Sequence, residues 1–377
     1  MDILLCLDKF KASATSVELC EWIAFELAAV ENEWQVVQSP VADGGDGSLA
    51  ILKLVLNAQE IVVETFDPLG VEIKASYLIK DNIAYIELAS ASGLHLLKEE
   101  DYDPYLSSTY GTGVLVRDAL SKGVETVKVF LGGSATIDGG MGILHALGVH
   151  FYSEDNFRLF PSGESLAEVS RINIDVLAKL REVEFELICD VPHVLLGDGG
   201  AVASFGAQKG AASIEDHHFF EEALAIFSQL IENELMIDVN KLKSGGAAGG
   251  VAASLHAFLN AEIQSGSQFF IDTLQLYEKI RKADVVILGE GRVDDQTSNG
   301  KLVGQLMDYC EENKTPYYLI CGDHKETDSS RESEFQMKTY MVRSEADSYR
   351  DSMQNVETYI KQISQKLAAA IKSSNLE

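Results

Sequence analysis

The chain is short of positive charge. Thirty lysines and arginines stand against 59 aspartates and glutamates, a formal charge of −29. That deficit leaves no basic face for a phosphodiester backbone and argues against nucleic acid as a partner. It also repels anionic small molecules, so any that bind need the few cations gathered in one place, with a divalent metal to help. Long apolar runs are lacking as well. Stretches such as residues 285–288 and 317–321 fall far short of the ~20 residues of a membrane span. The opening DILLCLDK carries charge too early for a secretory leader. The cysteines are five, an odd number scattered through apolar segments, which suits reduced thiols in a cytoplasm rather than a disulfide framework. The eight histidines form no H-x-x-x-H pair or comparable metal constellation, and His217-His218 falls at a helix start. No G-x-G-x-x-G follows the first strand, which counts against a dinucleotide dehydrogenase. No G-x-x-x-x-G-K-[ST] is present either, so phosphate needs a different cradle.

What is present is an alternation of strands and helices over 377 residues, a length at which two domains are expected. Residues 2–8 read as a buried strand, and Thr15 with Glu18 forms a capping-box pair ahead of a helix to about residue 30. Residues 34–39 read as a strand, and the glycine-rich turn ADGGDGS (42–48) opens a helix to about residue 56. This order begins a doubly wound α/β domain. The character then changes: 60–66, 71–79 and 83–88 are three strands with no room for helices, the last two joined by an Asp81-Asn82 turn. Alternation resumes from about residue 112, through strands at 127–132 and 185–189 and a helix near 215–233. Residues 283–289 read as a return to the first sheet, continued by a helix from about 300 and a strand at 317–321. The stretch 324–336 reads as a loop and 351–372 as a final helix. The pattern predicts one domain from residues 1–66 plus 283–377, interrupted by a mixed-sheet α/β domain at 67–282.

Four glycine-rich segments fall where strands end and helices begin: 42–48, 132–142, 245–250 and 289–300. Ligands of open α/β sheets bind at strand carboxyl ends, where glycines let backbone N–H groups approach phosphate. LGGSATIDGGMG (131–142) is the richest of them. GEGRVDDQT (289–297) follows the apolar ADVVIL and packs acids and a guanidinium at the edge of a core, which points to a metal ion and a phosphate.

In order along the chain, LDKFKASATS (7–16), VADGGDGS (41–48), ELASASGL (87–94), TYGTG (109–113), GGSATIDGG (132–140), CDVPHVLLGDGGA (189–201), FGAQKGA (205–211), GGAAGG (245–250) and GEGRVDDQTSNGK (289–301) resemble the signatures of the type I glycerate kinases. The similarity covers almost the whole chain. It implies an ATP- and Mg2+-dependent kinase that phosphorylates D-glycerate at the 2-hydroxyl. It also implies a Rossmann-like doubly wound domain interrupted by a mixed α/β domain, with the active site in the interdomain cleft. The expected setting is cytoplasmic, as a monomer or homodimer with no nucleic-acid or membrane partner.

Phosphoryl transfer needs alignment, cations over the phosphoryl oxygens and a group to receive the hydroxyl proton. Asp190, ending a buried strand in CDV, takes the base role, with Lys11 and Arg292 beside it as catalytic cations. The guanidinium of Arg292 suits glycerate's carboxylate or the transferred phosphate. Nucleotide binding falls to Gly133, Ser134, Ala135, Thr136, Gly139, Gly249 and Lys301. Asp43, Lys9, His193, Arg292 and Thr297 are the substrate candidates. Because Mg2+ takes only one or two protein carboxylates, Glu290 and Asp294 are assigned to the metal. For Asp46 and Asp138, capping or turn stabilisation is at least as good a reading; Lys209 is a further cation embedded in a motif. The chain departs from the family pattern at Lys9 (usually serine), Ala12 (glycine), Ile137 (asparagine), His193 (asparagine) and Val303 (proline). A related hydroxy acid as substrate, or a non-catalytic paralogue binding nucleotide or sugar acid, therefore stays open beside glycerate.

Overall fold

Residues 1–293, 301–324 and 334–374 are described in the computed structural model. The strands, in chain order, are β1 (Asp2–Leu7), β2 (Gln35–Gln38), β3 (Gln59–Phe66), β4 (Glu72–Lys80), β5 (Ile83–Glu87), β6 (Thr126–Phe130) and β7 (His150–Tyr152). They continue with β8 (Arg171–Asn173), β9 (Glu184–Ile188), β10 (Glu262–Gln264), β11 (Val285–Val293), β12 (Tyr317–His324) and β13 (Gln336–Met341). The chain divides into two compact units, Met1–Asp43 with Ser267–Glu377, and Gly44–Gly266.

The first unit holds a parallel sheet of order β13-β12-β11-β1-β2. Counting only its own strands, that is the doubly wound order 2-1-3-4-5, whose switch point lies between β1 and the next strand to join, here β11. β1 is buried from Ile3 to Leu7 because it is covered on both faces. On one face Leu19, Cys20, Ile23 and Leu27 of the helix Ser16–Val30 form an apolar stripe that shares a core with Ile360, Ile363, Leu367 and Ile371 of the helix Val356–Ser373. The Thr15–Glu18 capping box is formed, closing the start of the first of these helices. The last helix, expected as one piece, is two: Tyr349–Gln354 and Val356–Ser373, divided at Asn355.

The second unit holds a mixed sheet, β10-β9-β6-β5-β4-β3, parallel from β10 to β5 and antiparallel from β5 to β3. Asp81 and Asn82 both take positive φ, 49° and 63°, and link β4 to β5 as a two-residue turn. The expected domain limits at 66/67 and 282/283 fall elsewhere. β3 pairs along its full length with β4, and the helix Ser48–Leu56 packs on β4 and β5, so both belong to the second unit. The helix Leu276–Lys282 packs on β1 and on the helix Leu302–Glu312, so it belongs to the first. The expected loop at 324–336 falls largely outside the described residues, and β12 runs three residues past its expected end to His324.

Candidate active site

In the first unit, register brings Leu7 opposite Gly289, so Asp8, the first residue past β1, stands beside Glu290, which is still within β11, at the switch point. The Asp8 amide donates to the Gly289 carbonyl at 2.8 Å. Past β2 the chain stays alongside β1, Ser39 N to Leu5 O and Val41 N to Leu7 O, which carries Asp43 toward the same edge. Three carboxylates therefore share one corner. Burial, and then the negative charge of Asp43, push the Asp8 carboxyl up to about 8; Glu290 adds to the rise, while the Lys9 ammonium and the Lys9 amide, which donates to Oδ1 at 2.7 Å, oppose it. The glycines here are steric necessities. A Cβ on Gly289 would stand 2.8 Å from the Ile320 carbonyl oxygen, and one on Gly322 would stand 2.5 Å from that of Gly291.

Asp8 was not among the sequence candidates, although its signal was there: an acid directly after a buried strand, inside LDKFKAS. Its raised value has a consequence for stability. A carboxyl whose folded value exceeds its unfolded one contributes stability that is complete below about pH 4 and is lost as pH rises through about 8. The urea midpoint of the wild type is expected to fall more steeply between pH 5 and 9 than that of Asp8→Asn. Parallel curves for the two proteins would refute the burial of this charge.

Of the other candidates in this unit, Lys9 is half-buried, and Lys11 and Arg292 are exposed. Lys301 sits at the residue before the helix Leu302–Glu312, where its carbonyl accepts from the Gln305 amide. Asp294 and Thr297 lie outside the described residues. Phe10 and Ala14 pair across a tight loop with Ala12 at its tip, in the left-handed region at φ 60°. This is a conformation that favours glycine, which accounts for the glycine usual there. Ala12→Gly should raise unfolding stability by on the order of 0.5–1 kcal/mol, read as a higher urea midpoint at unchanged slope; a lower midpoint would contradict the strain.

In the second unit three of the four glycine segments converge beyond the carboxyl ends of β5, β6 and β9. Gly132 N donates to the Gly44 carbonyl at 3.3 Å, and Gly139 N to the Gly249 carbonyl at 3.1 Å. The contacts are backbone against backbone: a Cβ on Gly132 would lie 2.3 Å from Gly45 Cα, and one on Gly249 would lie 2.2 Å from the Thr136 carbonyl oxygen. Glu87, buried at the end of β5, accepts from the amides of Gly47 and Leu49 at 3.1 Å each and so anchors the 42–48 turn to the sheet.

Within residues 132–140, Gly133 is exposed, whereas Ser134, Ala135, Thr136 and Gly139 are buried. The Ser134 hydroxyl accepts from the Thr136 amide at 3.1 Å and meets the Thr136 hydroxyl at 3.0 Å, so both stabilise their own turn. Asp138 is wholly buried and accepts four hydrogen bonds, from the Thr109 amide and hydroxyl at 2.7 Å each, Gly140 N at 3.0 Å and Gly142 N at 3.2 Å. It fastens the loop. Burial pushes its carboxyl up, against those four bonds. Ile137, where the family carries asparagine, is 1% exposed and part of the unit's apolar core, so the departure is absorbed in packing.

Asp190 is half-buried just past β9, and its Oδ1 accepts from the Ser265 hydroxyl at 2.7 Å. His193 holds the following loop: Nδ1 lies 3.1 Å from the Gly199 carbonyl and 3.0 Å from the Ser204 hydroxyl, with the ring edge-on to Phe205. Its carbonyl also receives the Gly246 amide at 3.1 Å.

Comparison with known proteins bears on what this arrangement serves. A model described as "Glycerate kinase family" matches residues 3–372. A glycerate kinase of Halalkalibacterium halodurans is 36% identical over 327 residues, 85% of each chain. The glycerate 2-kinase of Escherichia coli K12 is 34% identical over 325 residues, again 85% of each. The crystal structure of "putative glycerate kinase 2" from Salmonella typhimurium LT2 superimposes with a TM-score of 0.80 at 30% identity, covering all of both chains.

Proposed function

The chain belongs to the glycerate kinase family, and on that ground we propose that it transfers the γ-phosphoryl group of ATP to the 2-hydroxyl of D-glycerate. The observation that carries the reading is the pairing of two features the reaction requires. One is a corner of three carboxylates whose mutual repulsion calls for a cation. The other is a set of glycine loops packed so closely that their backbone is fixed in advance.

Among the described residues no three His, Cys, Asp or Glu side chains are arranged to hold a metal ion by themselves. Mg2+ keeps several waters and takes one or two protein carboxylates. Glu290 would hold it, with Asp294 in the same motif and Asp8 and Asp43 beside Glu290. When bound it neutralises charge on the phosphoryl oxygens. The loop of Gly133 to Thr136, with Gly139 and Gly249 packed against it, receives the nucleotide's phosphates at its exposed residue Gly133, since the amides of Ala135, Thr136 and Gly139 are spent on holding the loop, and Lys301 contributes a cation. Lys11 and Arg292 serve the phosphoryl group and glycerate's carboxylate, with Thr297 as a hydroxyl donor. Lys9 adds a cation to the corner and supports carboxylate binding. His193 orders its loop through Nδ1, so its ligand contact is left to Nε2. Asp190, oriented by Ser265, receives the hydroxyl proton as the oxygen attacks.

ADP release measured with ATP, Mg2+ and a panel of small hydroxy acids tests the proposal. D-glycerate should give the highest kcat/KM. Faster turnover of another hydroxy acid would reassign the substrate, and ATP binding without turnover of any would favour a sensor.

A further inference from the structure

Lys209 is 4% exposed, on the single turn Ala207–Lys209 that Gly210 ends at φ 103°. Its Nζ donates to the Thr136 carbonyl at 2.8 Å and, at a longer 3.5 Å, to the Ser134 hydroxyl. No carboxylate forms an ion pair with it among the described residues. The charge that reaches it is that of Asp138, whose own oxygens are engaged by amides and a hydroxyl. From the other elements packed here, the helix Ala201–Phe205 brings no charge. The segment under Gly210 brings Tyr102 and Asp103, with Asp103 held by the amides of Tyr105 and Leu106. On the outer side of the loop stands Asp46.

A neutral amine has two N–H donors, and two acceptors are present. An ammonium has a third N–H, beyond the two acceptors present, and a full charge, which Asp138 offsets only without an ion pair. A buried lysine so placed is incomplete in its charged form until an anion arrives next to it.

We infer that Lys209 is a positioning residue that links protonation to nucleotide binding: an anion received by residues 133–136 draws a proton from solvent onto its amine, and the ammonium then clamps the Ser134–Thr136 turn. The inference rests on the reading of that loop as the nucleotide's phosphate cradle. Burial supports it, because it holds the Lys209 amine down at about 7, where a nearby anion shifts it strongly upward. Only a proton is transferred, and no bond between heavy atoms changes.

The test is a pH titration of the full chain carrying 13C-labelled lysine, following the Cε resonances with and without MgATP; Lys209→Met assigns the signal by its loss. Without nucleotide one lysine should titrate near neutrality, and with MgATP its midpoint should rise by more than about one pH unit. Lys279, which burial also lowers, is distinguished by remaining in the Lys209→Met spectrum. The measurement is made on the wild type, so misfolding of the variant cannot hide the answer. Nucleotide binding that leaves the Lys209 midpoint in place overturns this inference alone. No saturable response of any resonance to MgATP removes the cradle reading, and the inference with it.

Discussion

Asp190→Asn should lower kcat by roughly 10²–10⁴-fold, the range that a positioned general base supplies, while the KM for D-glycerate should move little. The substitution is nearly isosteric, and asparagine's carbonyl oxygen still accepts from the Ser265 hydroxyl that meets Oδ1 at 2.7 Å. What it loses is the capacity to take a proton. Because the residue is half-buried at the end of β9 rather than in the core, its replacement leaves the fold intact, and a near-wild-type Tm should accompany the loss. Ser265→Ala is the graded control: it keeps the carboxylate and frees its orientation, so its effect should be smaller and should fall on kcat. An Asp190→Asn enzyme as fast as wild type would remove this residue from the proton transfer.

Gly249→Ala should cost about 3 kcal/mol or more of unfolding stability, in the tail reserved for substitutions with a named steric cause. Two effects combine. The added Cβ would sit 2.2 Å from the Thr136 carbonyl oxygen and 2.9 Å from Ile137 Cα, and the backbone is at φ 68°. The loop 132–140 is buried from Ser134 onward and tied by Asp138 and Lys209, so it cannot retreat without breaking those bonds. Gly47→Ala separates the two effects. Gly47 also has positive φ, 96°, but nothing lies within 4 Å of its would-be Cβ, so only the backbone strain of about 1–2 kcal/mol remains. Equal losses for the two variants, read from urea curves, would show that the close approach of the loops carries no energy.

Local signals carried much of this structure. Thr15 and Glu18 declared a helix start in four residues, and Asp81-Asn82 declared a turn whose positive φ values the fold requires. Three of the glycine segments were legible as strand-end loops because each follows a strand, whereas 245–250 comes after the helix Ile214–Leu235 and the polar NKLKS. What could not be read locally was which sheet a strand joins. β3 looks the same whether it ends the first unit or begins the second, and only its pairing with β4 decides. β10, three residues long, gives no periodicity to detect. Among the site residues the distinction between holding a ligand and holding the loop was equally invisible. Asp138 and Asp190 are both acids in glycine-rich motifs, yet the first is enclosed by four donors and the second stays half-buried beyond its strand. Asp8 was passed over because its importance comes from Asp43 and Glu290, respectively 35 and 282 positions away, which parallel pairing brings to its side.

The most direct test of glycerate phosphorylation is the identity of the product. Purified protein incubated with D-glycerate, ATP and Mg2+ should yield one new species by 31P and 13C NMR, with phosphorus coupled to C2, identifying 2-phosphoglycerate. Coupling to the terminal carbon, or ATP left intact beside unmodified D-glycerate, would contradict the assignment.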